Sequence, residues 1–574
     1  MSPHIKSVMI THKRLTEKCG IELYPHQEEH VTKIWKHLVD DLAFSMLDTS
    51  NLGSGKTFCS LYIAWHLQQI YGTQVMIVAP SDASLNNKDG WLAHAEEIGL
   101  EVMEGTTYTK LRGSRGKVSH PWLIPDPEDK KKWTATRKFS SKCEKGLFLI
   151  FDEFHHTKNL SSAHFACAAL VKAAKKHRSV CRVALLSHTP GDKPEVIPQI
   201  LRMAGIITEI RLFRHVPFTT NEYEWRGYGL GELASVCQKI DKQKLAYEKV
   251  EQSMTTFSAK KANQLCLDLY QEYIRDIITF AMPKAENKHT VTMLNYFFQT
   301  DPESLKILND GIDLLTGAVG WDPVTEQVAA QAEWDLGSIG RGLKMIEQGK
   351  LNSIARYVME ESAKNPMKKF VICCGGRNID AHQYLASIIS KPSISDSQRD
   401  ILASLKTMYR IPRDIVNMIA GFIDSAPIDC INGQIPKKQR TQIVADFQSD
   451  SDASWCVVVS PGTGSESLSF HDKHGNRPRD MLIVPDFFHS RVCQAAGRVN
   501  RVGMRSDAKI MIAYSREASL ETKILDSMAR KAKLAKTLMA KDQDVVFPGE
   551  YPFYIEGNRD IDLENHLNMF RNNF

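Results

Sequence analysis

Two groups of short apolar runs, rich in β-branched and aromatic residues, constrain this chain more than any other feature. The first group comprises Phe44-Ser45-Met46-Leu47, Val75-Met76-Ile77-Val78-Ala79, Leu147-Phe148-Leu149-Ile150-Phe151 and Val183-Ala184-Leu185-Leu186. The second comprises Phe370-Val371-Ile372-Cys373-Cys374, Val457-Val458-Val459, Met481-Leu482-Ile483-Val484 and Ile510-Met511-Ile512-Ala513-Tyr514. A strand that is apolar at every position, not at alternate ones, is buried on both faces. The helix-compatible stretches between such strands supply the crossovers that parallel pairing needs. The pattern stops after about Ile210 and resumes near Phe370, so two parallel α/β sheets are expected.

A chain of 574 residues has room for several domains. With 43% hydrophobic and 24% charged residues it is globular in composition, which excludes a disordered or fibrous protein. Between the two groups of runs, residues 216–348 are rich in helix formers and hold no convincing strand run, so a mainly helical insertion is expected there. Beyond the second group, Leu520, Ile524, Met528, Ala532, Ala535 and Leu538 recur at helical spacing and mark an amphipathic helix, followed by an acidic, aromatic end. The expected division is 1–215, 216–348, 349–518 and 519–574. No uncharged apolar run approaches the roughly 18 residues of a membrane span, and Met1 to Leu15 carries no apolar core of signal-peptide length. The twelve cysteines are scattered without a CxxC pair, so neither structural zinc nor a disulfide framework is expected. An intracellular, reducing compartment is.

Directly after the first apolar run comes Ser50-Asn51-Leu52-Gly53-Ser54-Gly55-Lys56-Thr57. A loop of small residues between a strand and a helix turns backbone N–H groups and the helix N-terminus toward a triphosphate. Gly53, Ser54 and Gly55 form that cradle, Lys56 neutralises β/γ oxygens, and Thr57 reaches Mg²⁺. Ser50 stands where the strict pattern has its first glycine. The third apolar run ends in Asp152-Glu153-Phe154-His155. Triphosphate hydrolysis needs one carboxylate in the Mg²⁺ shell and another to orient and deprotonate water, and adjacent acids at a strand end supply both. Asp152 is assigned to the metal and Glu153 to the water. ATP and Mg²⁺ are the expected cofactors.

These motifs resemble those of superfamily-2 helicases and translocases. The loop resembles motif I, Asp152-Glu153-Phe154-His155 a DExH form of motif II, and Leu186-Ser187-His188-Thr189-Pro190 motif III. Gln494-Ala495-Ala496-Gly497-Arg498-Val499-Asn500-Arg501 matches the QxxGRxxR of motif VI. Leu23-Tyr24-Pro25-His26-Gln27 is similar to the motif whose glutamine contacts adenine, and Ala79-Pro80-Ser81 to motif Ia. Asp152 to Asn159, Gly349-Lys350-Leu351 and Ser187 to Pro190 are similar to the Swi/Snf-like branch and to the related ATPases of large DNA viruses. That likeness alone raises the expectation of a viral protein. Ser460 opens only a loose motif V.

The resemblance implies two RecA-like parallel-sheet lobes with the helical insertion between them and a C-terminal helical tail. It implies ATP hydrolysis coupled to movement along nucleic acid, with DNA favoured over RNA. Arg501 is then the arginine finger beside Arg498, with Gln494 near the γ-phosphate or the attacking water. His155, Ser187 and Thr189 link hydrolysis to the nucleic-acid surface. Pro80, Ser81 and Ser460 touch that surface. By charge alone, Lys130, Lys131 and Lys132 read equally as a further contact with it or as part of a solvated loop. These three lie between Lys110 and Lys145, where eleven basic residues face four acidic ones and are interleaved with Trp122, Trp133 and Phe139. The alternatives are a duplex translocase that remodels or serves transcription without separating strands, a motor subunit with a separate nuclease partner, and a catalytically dead scaffold. The complete set of acid, lysine and arginine residues weighs against the last.

Overall fold

The computed structural model describes residues 22–87, 90–113, 120–125, 133–216, 223–240, 245–253, 258–283, 288–319, 336–374, 428–432, 435–452, 454–460, 468–485, 489–541, 543 and 545–557. The chain forms two compact units, residues 1–286 with 533–545 and residues 287–532 with 546–574.

In the first unit the strands are β1 (Ser45–Asp48), β2 (Gln74–Ala79), β3 (Val102–Thr107), β4 (Leu147–Asp152), β5 (Arg182–Leu186) and β6 (Thr279–Phe280). They lie side by side in the order 6-1-5-4-2-3, every pair parallel. The unbroken apolar runs follow from this arrangement. Leu147, Leu149 and Phe151 enter one core together with Leu47, Val78 and Leu185. Phe148 and Ile150 enter the core on the opposite face with Met46, Ile77 and Leu186. Helices α1 (Pro25–Trp35), α2 (Lys56–Tyr71) and α3 (Trp91–Glu97) cover the second face, and α4 (Ser162–Lys175) covers the first. Each of these buried leucines and phenylalanines contributes about 1.5–3 kcal/mol.

The second unit holds β7 (Val291–Phe298), β8 (Lys369–Cys373), β9 (Ile428–Ile431), β10 (Cys456–Val459), β11 (Arg479–Ile483), β12 (Ala508–Ser515) and β13 (Phe553–Ile555). Their order is 9-10-8-11-12-7-13, again with every pair parallel. Val371 and Cys373 face one core, and Phe370 and Ile372 the other. The expectation of two parallel sheets holds.

The segment 216–348 does contain helices, such as Gly229–Ile240, Ala259–Leu269 and α5 (Pro302–Val319). It also contains β7, where no strand was expected, and this strand pairs with β12 from Val291↔Ala508 to Phe298↔Ser515. Thr292 and Asn295 interrupt its apolar run. Asn295 is tolerated in the core because its Nδ2 donates to Tyr551 O at 2.8 Å. The aromatic end of the chain supplies β13, which pairs with β7.

Gly349-Lys350-Leu351 opens α6 (Leu351–Lys364). A Cβ on Gly349 would lie 2.7 Å from Leu308 Cβ, so only glycine lets the chain pass α5 this closely. Lys350 Nζ stands 2.8 Å from each Glu521 carboxylate oxygen and 3.2 Å from Ala513 O. Glu521 lies in the first turn of the long helix α8 (Ser519–Leu538), so this buried pair fastens the root of that helix to β12. Among the described residues no helix is long and apolar enough to cross a membrane.

Candidate active site

β1 ends at Asp48, and the chain runs from Thr49 to Gly55 before α2 opens at Lys56. Gly53 and Gly55 have φ of +74° and +97°, the left-handed region that favours glycine. A Cβ on Gly55 would also lie 2.2 Å from Gln27 Nε2, so a side chain there would displace the Gln27 amide from its bond to Ser54 O. No side chain caps α2, and the N–H groups of such a helix start attract an anion. Lys56 Nζ lies across the loop, donating to Ser50 O at 2.7 Å and Asn51 O at 3.1 Å. Gln27 braces the loop from α1. Its Nε2 donates to Ser54 O at 2.8 Å and its Oε1 accepts from Tyr24 N at 3.1 Å.

The serine at position 50 has a structural reason. Its Oγ donates to Asp48 Oδ1 and accepts from Met282 N at 2.8 Å, while its backbone N also donates to Asp48 Oδ1. The other Asp48 oxygen is 2.9 Å from His30 Nε2, and both side chains are fully buried. Burial by itself pushes Asp48 up. The charge and hydrogen bond of His30, followed by Lys56 and Ser50, outweigh it and hold the carboxyl below its ordinary value. A charged, hydrogen-bonded base therefore supports the loop from beneath.

Asp152 is the last residue of β4. Its Oδ2 accepts from the Trp91 indole N–H at 2.9 Å, and its carbonyl accepts from Tyr108 Oη at 2.8 Å. Burial raises its carboxyl to about 6, with Glu153 adding to the rise and Trp91, Lys56 and His155 opposing it. The next residue, Glu153, is non-glycine yet has φ +49°, a strained conformation worth roughly 1–3 kcal/mol that turns the chain sharply at the strand end. Its Oε2 lies 3.2 Å from His155 Nδ1, which lies 3.1 Å from Ser187 Oγ. Ser187 N in turn donates to Asp48 O at 3.0 Å, and Thr189 is buried close by in sequence. The first unit thus gathers Gln27, the loop from Gly53 to Thr57, Asp152, Glu153, His155 and Ser187. His30, Asp48, Trp91 and Tyr108 belong to the same constellation and are not singled out by any sequence motif.

In the second unit, Gln494 lies on α7 (His489–Ala496), and Arg498 and Arg501 follow it. Arg498 Nη1 and Arg501 Nη2 each donate to Leu468 O at 3.3 Å, and Arg501 Nε donates to Gly497 O at 3.1 Å.

The nucleic-acid residues are less concentrated. Ser81 caps the short helix Asp82–Asn86 by accepting from Ser84 N at 3.2 Å, beside a half-buried Pro80. Ser460 N donates to Ile431 O at 3.0 Å. Lys130, Lys131 and Lys132 lie outside the described residues. Two of the aromatic residues in that stretch are core residues. Phe139 and Trp122 are 0% and 5% exposed and belong to the core against β4, so they do not present rings for base stacking. Lys110 pairs with Asp82 at 2.6 Å, and Lys138 Nζ sits 5.3 Å from the centre of the Trp122 ring.

A family model described as "Type III restriction enzyme, res subunit" matches residues 20–185. No curated protein matches the chain in sequence. Among solved structures it is similar to the DUF1998 helicase MrfA bound to DNA and AMPPNP, at 11% identity over 97% of this chain and 55% of that one, with a TM-score of 0.44. The same helicase bound to DNA gives 11% identity, 97% and 57% coverage and a TM-score of 0.45. The Sulfolobus solfataricus SWI2/SNF2 ATPase core in complex with dsDNA gives 14%, 92% and 98% coverage, and 0.28. The chain therefore spans little more than half the length of the MrfA chains. The family match runs from before Gln27 through the phosphate loop and Glu153 to β5, and it bears out the resemblance to superfamily-2 helicases and translocases.

Proposed function

We propose that this chain is an ATP-dependent DNA helicase or translocase of the DExH type, hydrolysing ATP to move along DNA. One observation carries the reading. A glycine-bounded loop with its lysine, a half-buried acid at a strand end, a strained glutamate beside it and a histidine–serine link to the following strand all occur within one unit. The donor set fits a magnesium-bound triphosphate, with an uncapped helix start, an ammonium resting on neutral carbonyls, the Thr57 hydroxyl in the first turn, and Asp152. When bound, magnesium neutralises phosphate charge and fixes the phosphate geometry.

In this reading Lys56 leaves the Ser50 and Asn51 carbonyls for phosphate oxygens. Thr57 and Asp152 hold the metal, with the Trp91 indole fixing which Asp152 oxygen faces it. Glu153 orients the attacking water and takes its proton. His155 and Ser187 tie that glutamate to the end of β5, where motif III begins. Gln494, Arg498 and Arg501 are assigned to hydrolysis through the motif VI match. Nucleic-acid contact is assigned to Pro80, Ser81, Ser460, Lys130, Lys131 and Lys132.

The Swi/Snf-like stretch from Asp152 to Asn159 favours a second form of the reading, translocation on duplex DNA without strand separation. Two assays separate the forms. The expected result is ATP-dependent displacement of the third strand of a DNA triplex, with little unwinding of a forked duplex. Unwinding of the fork would favour a helicase. Hydrolysis with neither movement would overturn the motor reading.

A further inference from the structure

We propose that Gln543, beyond the C-terminal end of α8, is a positioning residue for the nucleotide. The inference rests on the reading of the phosphate loop as an ATP site. The end of α8 belongs to the first unit, although residues 519–532 of the same helix belong to the second. Leu538 is fully buried there in the core that contains β4. Its carbonyl accepts from Tyr270 Oη at 3.1 Å, and its Cδ1 would lie 2.9 Å from a Cβ built on Gly191, shortly after Thr189. The chain leaving this anchor runs onto the start of the phosphate loop. Ala540 N is 3.3 Å from Thr49 Oγ1. Gln543 Nε2 donates to Thr49 O at 2.9 Å and to Asn51 Oδ1 at 3.3 Å, while Gln543 Oε1 accepts from Thr49 Oγ1 at 2.9 Å.

The chemistry is specific to an amide. Only a side chain that both donates and accepts can satisfy the Thr49 carbonyl, the Asn51 amide oxygen and the Thr49 hydroxyl together. Thr49 is fully buried and is held from its other side by Phe280 O, at 2.8 Å from its N–H. Asn51 O is one of the two carbonyls on which Lys56 Nζ rests. Gln543 therefore fixes the residues that place the phosphate-binding lysine, from a segment that no nucleotide-binding motif includes. Nucleotide affinity in the first unit depends on a residue close to the far end of the chain.

The test uses the whole 574-residue chain, with equilibrium binding of a fluorescent ATP analogue, steady-state hydrolysis and thermal unfolding. Gln543→Ala is expected to weaken nucleotide binding and raise KM about tenfold, the equivalent of one hydrogen bond, with kcat within about twofold and the unfolding midpoint unchanged. Gln543→Glu keeps the shape but loses both donated bonds, and is expected to be at least as impaired. It also decides the matter if the alanine variant does not fold. An unchanged KM in the folded variants overturns the inference. So does a loss of kcat in step with a lowered midpoint, which would mark a purely structural role. Lys56→Ala is the control. If it loses binding while the Gln543 variants keep it, this inference alone falls. If it binds like wild type, the ATP-site reading falls and takes this inference with it.

Discussion

Glu153→Gln is expected to slow ATP hydrolysis by about 10²–10⁴-fold, the usual contribution of a positioned general base, while ATP binding stays within a few-fold of wild type. The substitution is nearly isosteric. The strained turn at φ +49° and the approach to His155 at 3.2 Å survive it, because a glutamine oxygen can still accept from the ring. What disappears is the group able to take a proton from water. Binding rests elsewhere, on the helix start, Lys56 and the loop braced by Gln27 and Asp48. A turnover number within tenfold of wild type, measured at saturating ATP, would remove Glu153 from the role of base.

Lys350→Met is expected to destabilise the second unit by about 3–5 kcal/mol, the range for removing one partner of a buried pair. Lys350 and Glu521 side chains are 2% and 0% exposed, with Nζ 2.8 Å from each carboxylate oxygen. Burial holds Glu521 above its ordinary value even with Lys350 opposing that rise. Without the lysine, the carboxyl is pushed higher still and folds most readily when protonated. A group whose folded value is raised adds stability below its unfolded value and loses it as pH rises through the folded one. The deficit of Lys350→Met is therefore larger at pH 8 than at pH 5, as denaturant unfolding at the two values would show. Adding Glu521→Leu should recover much of the loss, because no buried charge is then left alone. Equal deficits at both pH values and no recovery would mean that the pair is not what fastens α8.

Both sheets were legible because their inner strands are apolar on both faces. Leu147 to Phe151 sends alternate residues into separate cores, and no half-exposed strand has that composition. β7 was not legible. Its Asn295 looks polar in sequence, and the partner of its Nδ2 is Tyr551 O, 256 residues away. The lysine, acid and histidine residues of the site were legible because phosphate chemistry demands fixed residue types at fixed spacings after a strand. Their supports were not. Trp91 reaches Asp152 across 61 residues and Gln543 reaches Thr49 across 494, so only the folded chain brings them together. The placement of Trp122 and Phe139 was not legible either. An aromatic ring among lysines reads alike whether it stacks on a base or fills a core, and burial alone decides between them.

The most direct measurement is ATP hydrolysis by the 574-residue chain with and without duplex DNA, run beside Lys56→Ala. The account predicts hydrolysis that rises when DNA is added and is lost in Lys56→Ala. Hydrolysis equally fast without nucleic acid, none under any condition, or activity that survives Lys56→Ala would contradict it.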